Sequence, residues 1–446
     1  MSDKQSKTTG RTKVTRREFI RRTGALTAGA VAFPMIVPSY ALGLGKTVAP
    51  SNRITMGCIG VGSQGTGNLR GFLENSNMHF VSVADLDRGH RDNAKNMIDQ
   101  RNENTDCATY NDFREMLERD DLDALSIAVP DHWHSIPAIQ AAKKGLDMYA
   151  EKPLALTIAE GRAMVDTVHA NNIVWQTGSW QRSRDHFLQA CELVRNGRIG
   201  EIYKAEVGLP TGNPLKEPTP NMPVPDGFDY EFWLGPAPWS PYTTKRCHWD
   251  FRWILDYSGG QLTDWGAHHC DIFNWAMGTE ATGPLDAEGE GTFPRDGIWD
   301  AATDYMIKYN YAKDASPVAP DGFELYVSNS FGMGAHFYGS EGEVHVNRGG
   351  LHTTPVSLKS SVIRDDEIRL TKSTNHAQNF IDCVRSREKT VAPIEAAHYA
   401  ISIAHIGNIA MRLGRKVKWD AAKEDFVNDP QATRMLERSM RGGWHL

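Results

Sequence analysis

From residue 54 to residue 150 the chain alternates short apolar runs with amphipathic stretches. Ile54-Thr55-Met56-Gly57-Cys58-Ile59 reads as a buried strand, as do 80–84 and 125–129. Apolar runs this short, bounded by turn residues, fit strands better than helices. Helical character fills 66–73 and 136–144, and 147–150 makes another short strand. Strands alternating with helices predict a parallel sheet with its ligand at the strands' carboxyl ends. From about residue 173 the pattern changes. A helix over 187–196 stops at Gly197, and period-two alternation then recurs at 203–207, 285–290, 303–309, 324–329, 335–338 and 343–347. Gly-rich turns separate these runs, so a mostly antiparallel open sheet is expected. Pro and Gly abound over 210–241, which predicts a long loop able to cover a site. A long helix over 394–413 should pack near the core.

The first strand runs directly into Gly60-Val61-Gly62-Ser63-Gln64-Gly65. Strand, G-x-G-x-x-G, helix, strand and acid follow in the order a Rossmann unit needs, the acid being Asp85. Gly60 permits the tight turn, Gly62 lets backbone approach a pyrophosphate, and Gly65 lets the helix pack on the strand. The helix amides with Ser63 and Gln64 then face the phosphates. Asp85 should accept from a ribose 2′-hydroxyl and repel a 2′-phosphate, which favours NAD over NADP. Asp87 is a second candidate acid, and Arg88 keeps NADP as the lesser alternative. His132 and His134 follow the 125–129 strand and are candidates for contact with the nicotinamide or substrate. No third ligand stands near them in sequence, so no metal is expected.

The charge is unevenly placed. Residues 1–22 hold eight Lys/Arg and two acids, leaving 41 basic and 53 acidic residues in the remainder. An acidic body argues against binding a phosphate backbone, so no nucleic-acid partner is expected. The six Cys are scattered without a CxxC pair, which excludes a zinc knuckle and reads as buried thiols. Thr15-Arg16-Arg17-Glu18-Phe19-Ile20 precedes an uncharged stretch, and Ser39-Tyr40-Ala41 offers small residues at a cleavage site. This resembles a twin-arginine signal peptide over 1–41, with a linker over 42–51. It implies export of the folded protein by the twin-arginine machinery to the periplasm, without a stable membrane anchor.

Glu151-Lys152-Pro153-Leu154, at the sheet's carboxyl edge, completes a wider resemblance. With the glycine fingerprint go Tyr110-Asn111-Asp112-Phe113-Arg114 and Val129-Pro130-Asp131-His132-Trp133-His134. Further on stand Gln176-Thr177-Gly178-Ser179-Trp180-Gln181-Arg182, Asp264-Trp265-Gly266-Ala267-His268, Gly339-Ser340-Glu341-Gly342 and Asn379-Phe380-Ile381-Asp382-Cys383-Val384. Together they resemble the Gfo/Idh/MocA oxidoreductases over nearly all of 52–446. The resemblance implies an α/β N-terminal Rossmann domain over 52–172. It implies an α+β C-terminal domain over 173–446, with a large open sheet for substrate and oligomerisation. It places Lys152 between substrate and nicotinamide, with Glu151 at the cofactor and Pro153 as a cis proline. It makes Asp264 and His268 a carboxylate–imidazole pair on one helical face, His268 taking a hydroxyl proton near its ordinary pKa of about 6.5. Trp180, Arg182, Tyr257, His269 and Asp271 are the candidate substrate contacts.

The expected function is therefore exported, nicotinamide-dependent oxidation of a sugar or polyol hydroxyl. Outside the cytosol no NAD pool exchanges with the site, so the cofactor should be held and recycled in place. A redox-neutral NAD-dependent glycosidase or lyase of the same fold is the alternative, and a non-catalytic sugar-binding protein is a third. A homo-oligomer is expected by analogy alone.

Overall fold

The structure is a computed structural model that describes residues 52–446 apart from Lys216. The expected signal peptide and linker lie outside the described residues.

Six strands form a parallel sheet in the order β3-β2-β1-β4-β5-β6. They are β1 (Ile54–Ile59), β2 (Met78–Ala84), β3 (Ala108–Tyr110), β4 (Ala124–Ile127), β5 (Asp147–Ala150) and β6 (Trp175–Thr177). The order reverses between β1 and β4, where a doubly wound sheet opens a crevice at its carboxyl edge. Every residue of β4 and β5 is buried, as expected where helices cover both faces. The sixth strand lies beyond residue 172, so this sheet extends past the expected domain boundary. Its short Trp-Gln-Thr run carries too little pattern to announce a strand.

The second sheet has nine strands in the order β13-β12-β11-β7-β10-β9-β8-β14-β15. Six match the expected runs: β7 (Ile202–Gly208), β8 (Asp286–Thr292), β9 (Asp304–Tyr311), β10 (Phe323–Ser328), β11 (Gly334–Gly339) and β12 (Gly342–Asn347). The sequence did not signal β13 (Gly350–Thr354), β14 (Val417–Asp420) or β15 (Asp425–Phe426). Pairing is antiparallel except between β7 and β10. Two buried helices lie against this sheet, α1 (Gly266–Met277) and α2 (Ile394–Leu413). The Tyr309 hydroxyl on β9 donates to the Ile403 carbonyl of α2 at 2.8 Å and fixes the helix on the sheet.

The two sheets share one framework. The helix His376–Ser386 returns to the parallel sheet, where Phe380 meets Phe72 and Tyr149 at ring distances of 6.3 and 6.0 Å. Offset aromatic contacts of this kind add to the area they bury. Trp444 near the carboxyl terminus docks on the body, 4.8 Å from Trp133 and 5.5 Å from Phe232, with Arg114 over its ring. All six cysteines are buried and free. Among the described residues no helix is long and apolar enough to cross a membrane.

Candidate active site

The turn after β1 is built as the glycine spacing requires. Gly60 has φ +80°, and a Cβ there would stand 2.4 Å from the Ala128 carbonyl oxygen. A Cβ on Gly65 would lie 2.1 Å from the Gly60 carbonyl oxygen, so only glycine lets the helix Ser63–Leu73 approach the strand so closely. Gly62 caps that helix, and its amide end opens on a cavity of about 380 Å³. Gly60, Gly62, Ser63, Gln64, Asp85, Glu151 and Lys152 all line it. The opposite wall comes from the second half of the chain: Phe228, Phe232, Trp233, His248, Trp249, Phe251 and Arg252. The irregular segment after Pro210 thus covers the cavity, as expected. It is tied down by the Arg88 amide on the Gly227 carbonyl at 2.9 Å and the Asp229 amide on the Leu86 carbonyl at 3.0 Å.

Asp85 sits at the end of β2 and uses its carboxylate structurally as well. One oxygen accepts from the Val61 amide at 2.7 Å and the other from the Asp87 amide at 2.9 Å. Oδ1 also stands 3.6 Å from His90 Nδ1, and the residue borders the cavity. Asp87 instead caps the helix Arg88–Asn102, accepting from the Gly89 and His90 amides. It also stands with His90 and His248 in a group whose donor atoms lie within 4.8 Å of one another. No sequence spacing announced that cluster, because His248 comes from the covering segment.

Lys152 follows β5, and the Lys152–Pro153 peptide is cis. Its Nζ donates to Asp264 Oδ1 at 2.8 Å, and Arg252 Nε reaches the same oxygen at 3.3 Å. Burial opposes ionisation of Asp264, but Lys152 and Arg252 outweigh it and hold the carboxyl below its usual range. Glu151 is buried and accepts from Gln64 and Asn68, which binds the helix N-terminus to the sheet edge. No hydrogen bond or ion pair joins Asp264 to His268 among the described residues. The short helix Gln261–Asp264 passes into α1 through Trp265, which keeps helical dihedrals, and the Asp264 carboxylate closes on Lys152 instead. His268 is buried, and its Nδ1 meets no partner among the described residues. Its pKa lies well below the ordinary value, first through burial and then through the charges of Lys152 and Arg348. The imidazole is therefore neutral at physiological pH, and no carboxylate among the described residues is bonded to it.

Several other candidates point elsewhere. His132 is fully buried and its Nε2 meets the Trp233 carbonyl at 3.0 Å, and burial lowers its pKa to about 3. His134 Nε2 meets the Val129 carbonyl at 2.7 Å. Neither lines the cavity; Pro130, Asp131 and Trp133 from the same turn do. Arg182 and Asp271 form a fork of two 2.7 Å bonds with each other, and Arg182 also reaches Glu280 at 2.7 Å. At 2% exposure on both sides, this pair lies inside the framework. His269 Nδ1 meets the Gly208 carbonyl at 2.9 Å inside the sheet. Tyr257 is fully buried against His132 and Trp233, its hydroxyl beside Arg246. Only Trp180 of the five substrate candidates borders open space, a second cavity of about 400 Å³.

Sequence reasoning missed Asp131. Its carboxylate lines the main cavity and accepts from Ser258 Oγ at 2.5 Å. Burial pushes its pKa up to about 6, with Ser258 opposing and the nearby Asp264 assisting. The signal was its place directly after a strand's carboxyl end, beside two histidines that drew the attention.

The fold and cavity define a dinucleotide-binding oxidoreductase, and comparison with known proteins agrees. The profile described as "Oxidoreductase family, NAD-binding Rossmann fold" matches residues 54–179, and "Oxidoreductase family, C-terminal alpha/beta domain" matches residues 191–446. The chain belongs to the Gfo/Idh/MocA oxidoreductase family, and its N-terminal domain is an NAD-binding Rossmann domain. A glycosyl hydrolase family 109 protein of Shewanella baltica (strain OS185) is 30% identical over 208 residues, 43% of this chain and 45% of that protein. An alpha-N-acetylgalactosaminidase of Shewanella oneidensis is 29% identical over the same share of each chain. The match thus spans less than half the length of these relatives. The aldose-aldose oxidoreductase of Caulobacter crescentus superposes with TM-score 0.59 at 16% identity, covering 82% of this chain and 99% of that one. The myo-inositol 2-dehydrogenase of Lactobacillus plantarum gives TM-score 0.55 at 17% identity, with 82% and 99% covered. At these identities the superpositions establish the fold alone.

Proposed function

We propose that the protein oxidises a sugar or polyol hydroxyl with an NAD that it retains and recycles in place. The observation that carries this reading is the Lys152–Asp264 pair at 2.8 Å, at the carboxyl edge of the parallel sheet beside the dinucleotide cavity. The cradle fits the cofactor: the space over Gly60 and Gly65 is closed to any side chain, and helix amides face the cavity. Bound there, NAD would supply a reversible acceptor for the hydride of the reacting carbon. Lys152, held by Asp264, would donate a hydrogen bond to the substrate hydroxyl and favour its alkoxide character. His268, kept neutral by burial, would take the hydroxyl proton. The covering segment would exclude water from the reacting centre.

A second reading is favoured by the glycosidase names of the Shewanella relatives. Transient oxidation, elimination of the aglycone, addition of water and re-reduction would give hydrolysis without net redox change. Retention of the cofactor suits both readings, because export by the twin-arginine route would separate the protein from the cytosolic NAD pool. Homo-oligomerisation through the open sheet would complete the picture.

The test is direct. Protein purified from the periplasmic fraction is denatured and its supernatant analysed by mass spectrometry for nicotinamide dinucleotides. The expected result is close to one NAD(H) per chain, with aryl glycosides hydrolysed only in the second reading. Protein confined to the cytosol removes the export element. A protein that never changes the redox state of its cofactor with any sugar removes the oxidoreductase reading.

A further inference from the structure

The second cavity is lined by basic and aromatic side chains and differs from the first in its chemistry. Its wall includes Trp180, Ser183, Arg184, His186, Arg348 and Thr374. Arg348, in the turn between β12 and β13, is clamped by two indoles. Its guanidinium carbon lies 4.7 Å from the Trp180 ring centre and 4.2 Å from that of Trp265. Arg184 lies over the same Trp180 ring at 5.1 Å. Stacking on aromatic faces fixes a guanidinium without consuming its N–H donors. Neither arginine has a carboxylate within ion-pair distance among the described residues. The acid bordering the cavity, Asp185, stands 3.9 Å from Lys372.

Contacts run from this cavity toward His268, since Arg348 stacks on Trp265. That ring lies 5.8 Å from the His268 ring, and the charge of Arg348 is felt at both Asp264 and His268. The local charges leave a surplus. Lys152 and Arg252 share the Asp264 carboxylate, whose charge reaches Arg348 only beyond ion-pair distance, and no ion pair holds Arg184 among the described residues. Two oriented guanidiniums outside any ion pair, one of them close enough to feel the charge of Asp264, suit an anionic group on the substrate, bound through charge-assisted hydrogen bonds.

We propose that the cavity formed by Trp180, Arg184 and Arg348 is a substrate subsite for a saccharide bearing a carboxylate or a sulfate ester. The inference rests on the oxidoreductase reading for its substrate role, but the binding itself does not. The reacting hydroxyl lies at Lys152 and His268 while the anion sits between the arginines, so the subsite fixes which ring face meets the cofactor domain.

The test is calorimetric titration of the full-length, NAD-loaded protein with three methyl glycosides in both gluco and galacto series: neutral, 6-sulfated and uronate. The expected result is that at least one anionic member binds about tenfold or more tightly than its neutral parent, the size of a charged hydrogen bond. That advantage should shrink as salt is raised. Arg348→Gln and Arg184→Gln should each remove most of it, and Arg348→Lys should keep part. Comparison of the carboxylate and sulfate arms names the anion. NAD content and the thermal melt of each variant confirm that it is folded. The proposal is overturned if neutral and anionic members bind alike, if none binds, or if the double Gln variant keeps the preference. Appearance of reduced-nicotinamide absorbance is read in the same samples. Anion binding without cofactor reduction would keep the subsite and remove the oxidoreductase reading.

Discussion

Two carboxylate–cation pairs stand either side of Trp265 and serve opposite purposes. Lys152 and Asp264 are 15% and 13% exposed and stand beside the dinucleotide cavity. Arg182 and Asp271 are each 2% exposed and close on one another with a bidentate fork. The first pair leaves its cation with donors to spare at the edge of the site. The second is saturated: Arg182 meets Asp271, Glu280 and the Val391 carbonyl, and stacks on Trp275. Each pair joins an aspartate to a basic side chain, and the two differ in burial and in how many partners are already satisfied. A charge can do chemistry only where its partners leave it something to offer.

Replacing Arg182 with Met should break that comparison most severely. Asp271 would remain buried without its counter-charge, at a cost of roughly 3–5 kcal/mol of folding stability. Chemical denaturation measures it, and an unchanged midpoint would show that the pair is not the framework described. Lys152→Met should do the reverse. Turnover should fall by roughly a hundredfold to ten-thousandfold, while the denaturation midpoint and bound NAD stay near those of the parent. A loss of stability comparable to that of Arg182→Met would make the two pairs equivalent.

Smaller effects follow at the cavity wall. Gly60→Ala adds a Cβ 2.4 Å from the Ala128 carbonyl oxygen at φ +80°, so strain of about 1–3 kcal/mol should appear as weaker retention of NAD on dialysis. Asp131 is expected to leave its mark on the pH dependence of stability. Its carboxyl ionises near 3.8 when unfolded and near 6 when folded, because burial disfavours the charge. Between those values the unfolded chain binds fewer protons, so this group's contribution is full below pH 4 and is lost as the pH rises through about 6. Asp131→Asn should flatten that slope, and an unaltered slope would place the titration elsewhere.

What could be seen in the sequence was local. Strand, glycine turn, helix and acid are contiguous from Ile54 to Asp85, so each residue's partner is near in the chain. The period-two runs gave six strands of the second sheet, while β13 to β15 are short or lack alternation. The misplaced residues depend on distant partners or on local rotation. Arg182 pairs across 89 positions with Asp271. After β4 the chain enters the 3₁₀ turn Asp131–Trp133, where each residue rotates about a third of a turn. That rotation sends His132 inward and leaves Asp131 on the cavity. Asp264 and His268 have helical spacing, but the Asp264 carboxylate is taken by the distant Lys152 and by Arg252.

The central claim is that this cavity holds NAD and that Lys152 acts on the substrate beside it. One single-turnover measurement tests it most directly: reduced-nicotinamide absorbance on mixing NAD-loaded protein with a panel of neutral and acidic sugars. The account predicts a rise with at least one sugar in the parent protein and none in Lys152→Met, whose NAD content is unchanged. A parent protein that purifies empty and binds neither NAD nor NADP, or a Lys152→Met variant that reduces its cofactor at the parental rate, would contradict it.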